Sequence, residues 1–84
     1  MARRLRVRLG GPLVHEFGRD VIFEIEAKTI RELLDRLGAS HPDLQPLLNR
    51  GVAVAVNGTV YRSAFLTPIA EGSEVYILPP IVGG

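Results

Sequence analysis

The stretch Thr29-Ile30-Arg31-Glu32-Leu33-Leu34-Asp35-Arg36-Leu37-Gly38 decides the fold. Thr29 and Glu32 stand at capping-box spacing: the threonine hydroxyl can accept from the Glu32 backbone while the glutamate side chain reaches back, so a helix starts here. Ile30, Leu33, Leu34 and Leu37 fall at i, i+3, i+4 and i+7 and make one apolar stripe, with Arg31, Asp35 and Arg36 facing water. Such a helix must lay its stripe on a sheet or another helix. Gly38 is one candidate end; His41 is the other, because Pro42 disfavours helical geometry at the residue before it.

Upstream of the helix, Leu5-Arg6-Val7-Arg8-Leu9 alternates apolar and basic residues, which puts Leu5, Val7 and Leu9 on one face of a strand. The arginines read as a solvated sheet face, with a docking patch as the alternative. After Gly10-Gly11-Pro12 breaks that strand, Val21-Ile22-Phe23-Glu24-Ile25-Glu26 repeats the alternation, and the two runs form a hairpin. Downstream, Leu44, Leu47 and Leu48 around Pro46 suggest a short helical turn covering the sheet edge. Val52-Ala53-Val54-Ala55-Val56 is a strand ending in Asn57-Gly58, the pair best suited to positive φ at both centres of a tight turn, and Val60-Tyr61-Arg62 is its return. Glu71-Gly72-Ser73 supplies another turn and residues 74–78 the last strand, stopped by Pro79-Pro80.

The order strand, strand, helix, strand, strand, strand predicts an α+β domain of the β-grasp (ubiquitin-like) type: a mixed sheet of four to five strands with one main helix on one face. At 84 residues the chain is expected to form a single domain over 1–84, with 79–84 as an extended C-terminal tail. No apolar run approaches the roughly 18 residues of a membrane span. The Arg-rich start lacks the apolar segment of a secretory signal, so a cytoplasmic address is expected. A net charge of +1 gives no reason to expect nucleic-acid binding.

Internal chemistry is scarce. With no cysteine there are no disulfides, thiolate metal sites or cysteine nucleophile. His15 and His41 are isolated, which argues against a metal site. Glu24 and Glu26 share one strand face and read as exposed acidic residues, with paired acid-base work as the less favoured alternative. Ser40, Ser63 and Ser73 have no nucleophile-elbow context, and Gly10-Gly11 lacks phosphate-loop spacing.

One feature remains: Leu78-Pro79-Pro80-Ile81-Val82-Gly83-Gly84. Pro79 and Pro80 fix φ, cannot extend a sheet ladder, and favour a polyproline-like exit, so the tail should project as a semi-stiff arm. The five residues from Pro80 can reach about 17 Å. Gly83 and Gly84, without Cβ atoms, let the backbone enter a channel too narrow for side chains. A frayed terminus is the plain alternative, but apolar Ile81 and Val82 on a pre-ordered arm favour a tail made to be bound.

On the segments Thr29-Ile30-Arg31-Glu32-Leu33-Leu34, Val54-Ala55-Val56-Asn57-Gly58 and 71–84, the chain resembles the ubiquitin-like sulfur carriers, the family typified by the small subunit of molybdopterin synthase and the thiamine-pathway carrier. The resemblance implies that the Gly84 carboxylate is adenylated by a partner resembling ubiquitin-activating enzymes and then converted to a thiocarboxylate. ATP is consumed by that partner, and no cofactor is bound by the carrier. Gly83 would supply clearance, Pro79, Pro80, Ile81 and Val82 would dock the arm, and a sulfur-accepting synthase such as the molybdopterin synthase large subunit would be the customer. The chain itself would then be a co-substrate, not an enzyme. Two alternatives stay open: the same carrier serving cysteine, thiamine, tRNA thiolation or another thio-metabolite, and a modifier joined to lysines through Gly84. Phe65 and Leu66, taken to flank the arm, are candidates for the partner-facing surface or for the core.

Overall fold

The computed structural model describes residues 4–11, 13–14 and 22–80. Strand β1 (Arg4–Leu9) alternates exposed arginines with buried Leu5, Val7 and Leu9, as a half-buried strand requires. Strand β2 (Ile22–Glu26) pairs with it antiparallel, from Arg4 opposite Glu26 to Arg8 opposite Ile22. Phe23 and Ile25 thereby join the buried face. Val21, and most of the connection before it, lie outside the described residues.

Helix α1 (Ile30–Ser40) opens on the anticipated cap: Thr29 has extended backbone angles, and its Oγ1 accepts the Glu32 N–H at 3.2 Å. The Glu32 carboxylate reaches one residue further back than the standard box and accepts the Lys28 N–H at 2.9 Å. Thr29 itself lies in a bridge opposite Pro68, where Ile30 donates to the Thr67 carbonyl and Ile69 to the Lys28 carbonyl. The helix entrance is thus tied to a distant loop.

Gly38 does not end the helix. The helix runs to Ser40 and stops where His41, at φ −131° and ψ 79°, precedes Pro42. Gly38 is buried, and a Cβ there would run into the Gln45 side chain, so this glycine permits close packing of the next segment. That segment is a 3₁₀ turn (Pro42–Leu44) followed by helix α2 (Gln45–Asn49), which contribute Leu44 and Leu47 to the core. It packs along α1, and Leu44 and Leu47 join the core that the sheet's inner face also lines.

Strands β3 (Ala53–Val56) and β4 (Thr59–Tyr61) are joined by Asn57 and Gly58 at φ 50° and 86°, the mirror-image turn that the Asn-Gly pair signals. Strand β5 (Glu74–Leu78) then inserts between β1 and β3, parallel to the first and antiparallel to the second. The order is β2-β1-β5-β3-β4, a mixed five-stranded sheet. Its inner face gives Leu5, Val7, Leu9, Phe23, Ile25, Val54, Val75 and Ile77 to the core shared with α1. Burial of Ile30, Leu33 and Leu37 on that face contributes roughly 5–9 kcal/mol relative to exposure, so the helical stripe holds the two layers together. The architecture is the expected β-grasp.

Candidate functional site

The C-terminal tail leaves from the middle of the sheet. Strand β5 is flanked on both sides: its last ladder positions set Leu9 beside Ile77 and Ala53 beside Leu78. Gly10 continues the pairing by donating its N–H to the Ile77 carbonyl at 2.7 Å. A Cβ on Gly10 would collide with the Leu78 side chain and come within 3.2 Å of the Ile77 carbonyl oxygen. The glycine therefore lets Leu78 settle over β1, which pins the root of the tail.

Beyond that root, Pro79 is half-buried and Pro80 exposed. Neither ring carries an N–H, so the ladder ends at Leu78 for a covalent reason. Ile81, Val82, Gly83 and Gly84, on which the sequence reading places the chemistry, lie outside the described residues.

The sheet face opposite α1 has an order that sequence reading missed. Pairing lines up Ile22, Arg8, Tyr76, Ala55 and Val60 in one row across all five strands. Ile22 is 45% and Val60 44% exposed, which makes the row apolar except for Arg8. The next row sets Arg6 between Glu24 and Glu74. Beyond it Arg4 meets Glu26 at 3.5 Å, an exposed pair worth little in stability. Period-2 alternation marked the β1 arginines and the β2 glutamates as outward residues; only the strand order shows how the rows align.

Phe65 and Leu66 do not flank the tail root as a pair. Their segment is bonded to the first turn of α1, with Arg31 donating to the Phe65 carbonyl at 2.7 Å. Phe65 packs against the core, whereas Leu66 is 80% exposed. The two therefore take separate roles.

Other candidate groups are dispersed. Glu24 and Glu26 are exposed on β2, and Ser40 and Ser63 are exposed. Ser73 is buried and structural: its hydroxyl donates to the Ala70 carbonyl at 2.7 Å and accepts from the Asn57 amide at 3.2 Å. His41 lays its ring edge-on to Phe23 at 4.5 Å between centroids, and His15 lies outside the described residues. Among the described residues no group of three histidine, cysteine or acidic side chains is placed to hold a metal ion. No helix among them is long and apolar enough to cross a membrane.

The ThiS family model matches residues 7–84. Among solved structures, the solution structure of small archaeal modifier protein 1 (SAMP1) from Methanosarcina acetivorans superposes with a TM-score of 0.72 at 19% sequence identity, covering 100% of this chain and 99% of that one. At that identity the likeness speaks for the fold. The comparison with curated proteins gives no significant match.

Proposed function

The chain belongs to the ThiS family, and from that premise we propose that it is a sulfur carrier whose working group is the Gly84 carboxylate. A carboxylate is a poor electrophile. An adenylating partner of the ubiquitin-activating type would join it to AMP, releasing pyrophosphate and creating a good leaving group. A sulfur nucleophile then forms a C–S bond as the C–O bond to AMP breaks, and the product is a thiocarboxylate. The folded domain contributes presentation and the partner contributes catalysis, so the chain acts as a co-substrate.

The observation that carries this reading is the placement of β5. β5 is a central strand held on both sides, and it ends where the diproline begins, so the arm would be presented from a rigid root. Pre-ordering the arm reduces the conformational entropy lost on entering a partner's channel. Gly83 and Gly84 keep the tip narrow, and Pro79, Pro80, Ile81 and Val82 dock it. The family match reaches Gly84, which supports the assignment of the tip.

The customer we propose is molybdopterin synthesis in the cytoplasm, with the synthase large subunit receiving the sulfur; the diproline before the tail is the feature in its favour. The test is transfer from the loaded chain to the pterin precursor in the presence of that subunit. Dithiolene product is the expected result, and a loaded chain that yields none overturns this customer while leaving the carrier role intact. A second reading has its own support, because the structural neighbour is named a modifier protein. In that reading activated Gly84 is joined to lysines. High-mass conjugates that vanish when Gly84 is deleted would favour it.

A further inference from the structure

A groove of about 320 Å³ runs between α1, α2 and the loop after β4, on the helical side of the sheet. Leu34, Leu48 and Phe65 line it; each packs on the core and remains partly open to the groove. Arg31 and Asp35 stand on its rim, one helical turn apart on the same face of α1. Arg31 Nε lies 3.7 Å from Asp35 Oδ2, with the side chains 65% and 69% exposed. So exposed a pair adds little to the stability of its own chain and stays free to meet other charges.

Leu66 follows Phe65 and is, at 80%, the most exposed large apolar residue among those described. Its backbone neighbours are tied down: Arg31 donates to the Phe65 carbonyl at 2.7 Å and Ile30 to the Thr67 carbonyl at 3.2 Å. Leu66 is therefore held beside the first turn of α1. One exposed leucine is ordinary, but a leucine fixed next to an apolar groove extends it into a contact surface.

The rim decides the occupant. One cation and one anion give the face no net sign with which to select a strongly acidic or basic partner, and they are complementary to their own image. Let α1 of a second copy cross antiparallel, with a two-fold axis at the level of Leu33, midway between Arg31 and Asp35. Residues equally far from the axis then exchange places, and Arg31 of each copy faces Asp35 of the other. The same rotation carries Leu66 from the first turn of α1 to the level of Asp35 and Arg36 of the second copy. Leu48 lies toward that end of the groove, since a Cβ on Gly38 would come within 3.2 Å of its Cδ1.

We propose that this face is a symmetric interface between two copies of the chain. Leu66 of each copy seats in the groove of the other, and Arg31 and Asp35 cross-pair around the axis. The outer sheet face lies opposite α1, and the root of the tail belongs to the central strand β5, so both stay free in the dimer. The proposal goes beyond the carrier reading and does not depend on it.

The test is sedimentation equilibrium of the purified full chain over a dilution series, with no adenylating partner or ATP. The parent should show a reversible monomer–dimer equilibrium. Arg31→Glu sets a glutamate against Asp35 at both contacts of the dimer, and Asp35→Lys sets a lysine against Arg31. Each variant alone should therefore dimerise roughly tenfold more weakly or worse. Mixed in equal amounts, the two should associate with one another, because both contacts of the mixed pair are again opposite in sign. Leu66→Asp should lose the dimer yet unfold at the parent's denaturant midpoint, since the side chain it replaces is exposed. A parent that is monomeric throughout, charge variants that self-associate as tightly as the parent, a mixture that stays monomeric, or a Leu66→Asp dimer of parental affinity overturns the proposal.

Discussion

The Asn57 side chain clasps the turn that contains Ser73. Its Nδ2 donates to Ser73 Oγ at 3.2 Å, and its Oδ1 accepts the Glu74 N–H at 2.9 Å. The Asn57 backbone N–H completes the contact by donating to the Glu74 carbonyl at 2.9 Å. One residue therefore makes the β3–β4 turn and registers the start of β5, the strand that carries the tail.

Asn57→Gly keeps the positive φ but removes both side-chain bonds, so it should cost about 1–2 kcal/mol. Asn57→Ala loses the same bonds and also strains the left-handed backbone, so it should cost about 1 kcal/mol more. Urea unfolding of the two variants checks the ranking. An Asn57→Gly protein as stable as the parent would show that the clasp does not register β5.

The Thr29 cap predicts a smaller and more local effect. Thr29→Ala should lower stability by about 1 kcal/mol, while Thr29→Ser should be close to neutral. Thermal unfolding followed by circular dichroism measures both. Equal losses would mean that the bridge to Pro68, and not the hydroxyl, sets the helix entrance.

Gly10→Ala tests how the tail root is held. The added methyl meets Leu78 and the Ile77 carbonyl, so the substitution should destabilise by about 1–3 kcal/mol. Pairing it with Leu78→Ala should recover part of the loss, giving a non-additive double-mutant cycle. Strict additivity in denaturant unfolding would argue that the two residues do not share the contact.

Much of this was legible locally. Alternation placed β1 and β2, a turn and a diproline bracketed β5, the Thr-x-x-Glu pattern placed the start of α1, and Asn57-Gly58 specified its turn, because each depends on neighbours in sequence. The end of α1 was ambiguous because a glycine serves equally well as a terminator or as a packing gap; contact with Gln45, distant from local pattern, decided it. The parallel pairing of β1 with β5 joins the two ends of the chain, and no short-range signal encodes it. The same long-range order aligns the row from Ile22 to Val60 and separates Phe65 from Leu66. The tail motif itself was plain in sequence, since its logic is covalent: two prolines and two glycines.

The diproline is predicted to act in binding and not in folding. Replacing Pro79 and Pro80 together by glycine should leave the unfolding midpoint nearly unchanged. The looser arm loses about 1–2 kcal/mol of pre-organisation, so KM for the chain in the adenylation assay should rise roughly fivefold to thirtyfold. An unchanged KM would show that the arm needs no stiffness.

The most direct measurement is the intact mass of the chain after incubation with the adenylating partner, ATP and a sulfide source. The expected product is heavier by one sulfur less one oxygen, with the change confined to the peptide 63–84 and absent when Gly84 is deleted. A chain that is adenylated yet never exchanges oxygen for sulfur at Gly84, or one that is loaded equally well without Gly84, would contradict the sulfur-carrier account.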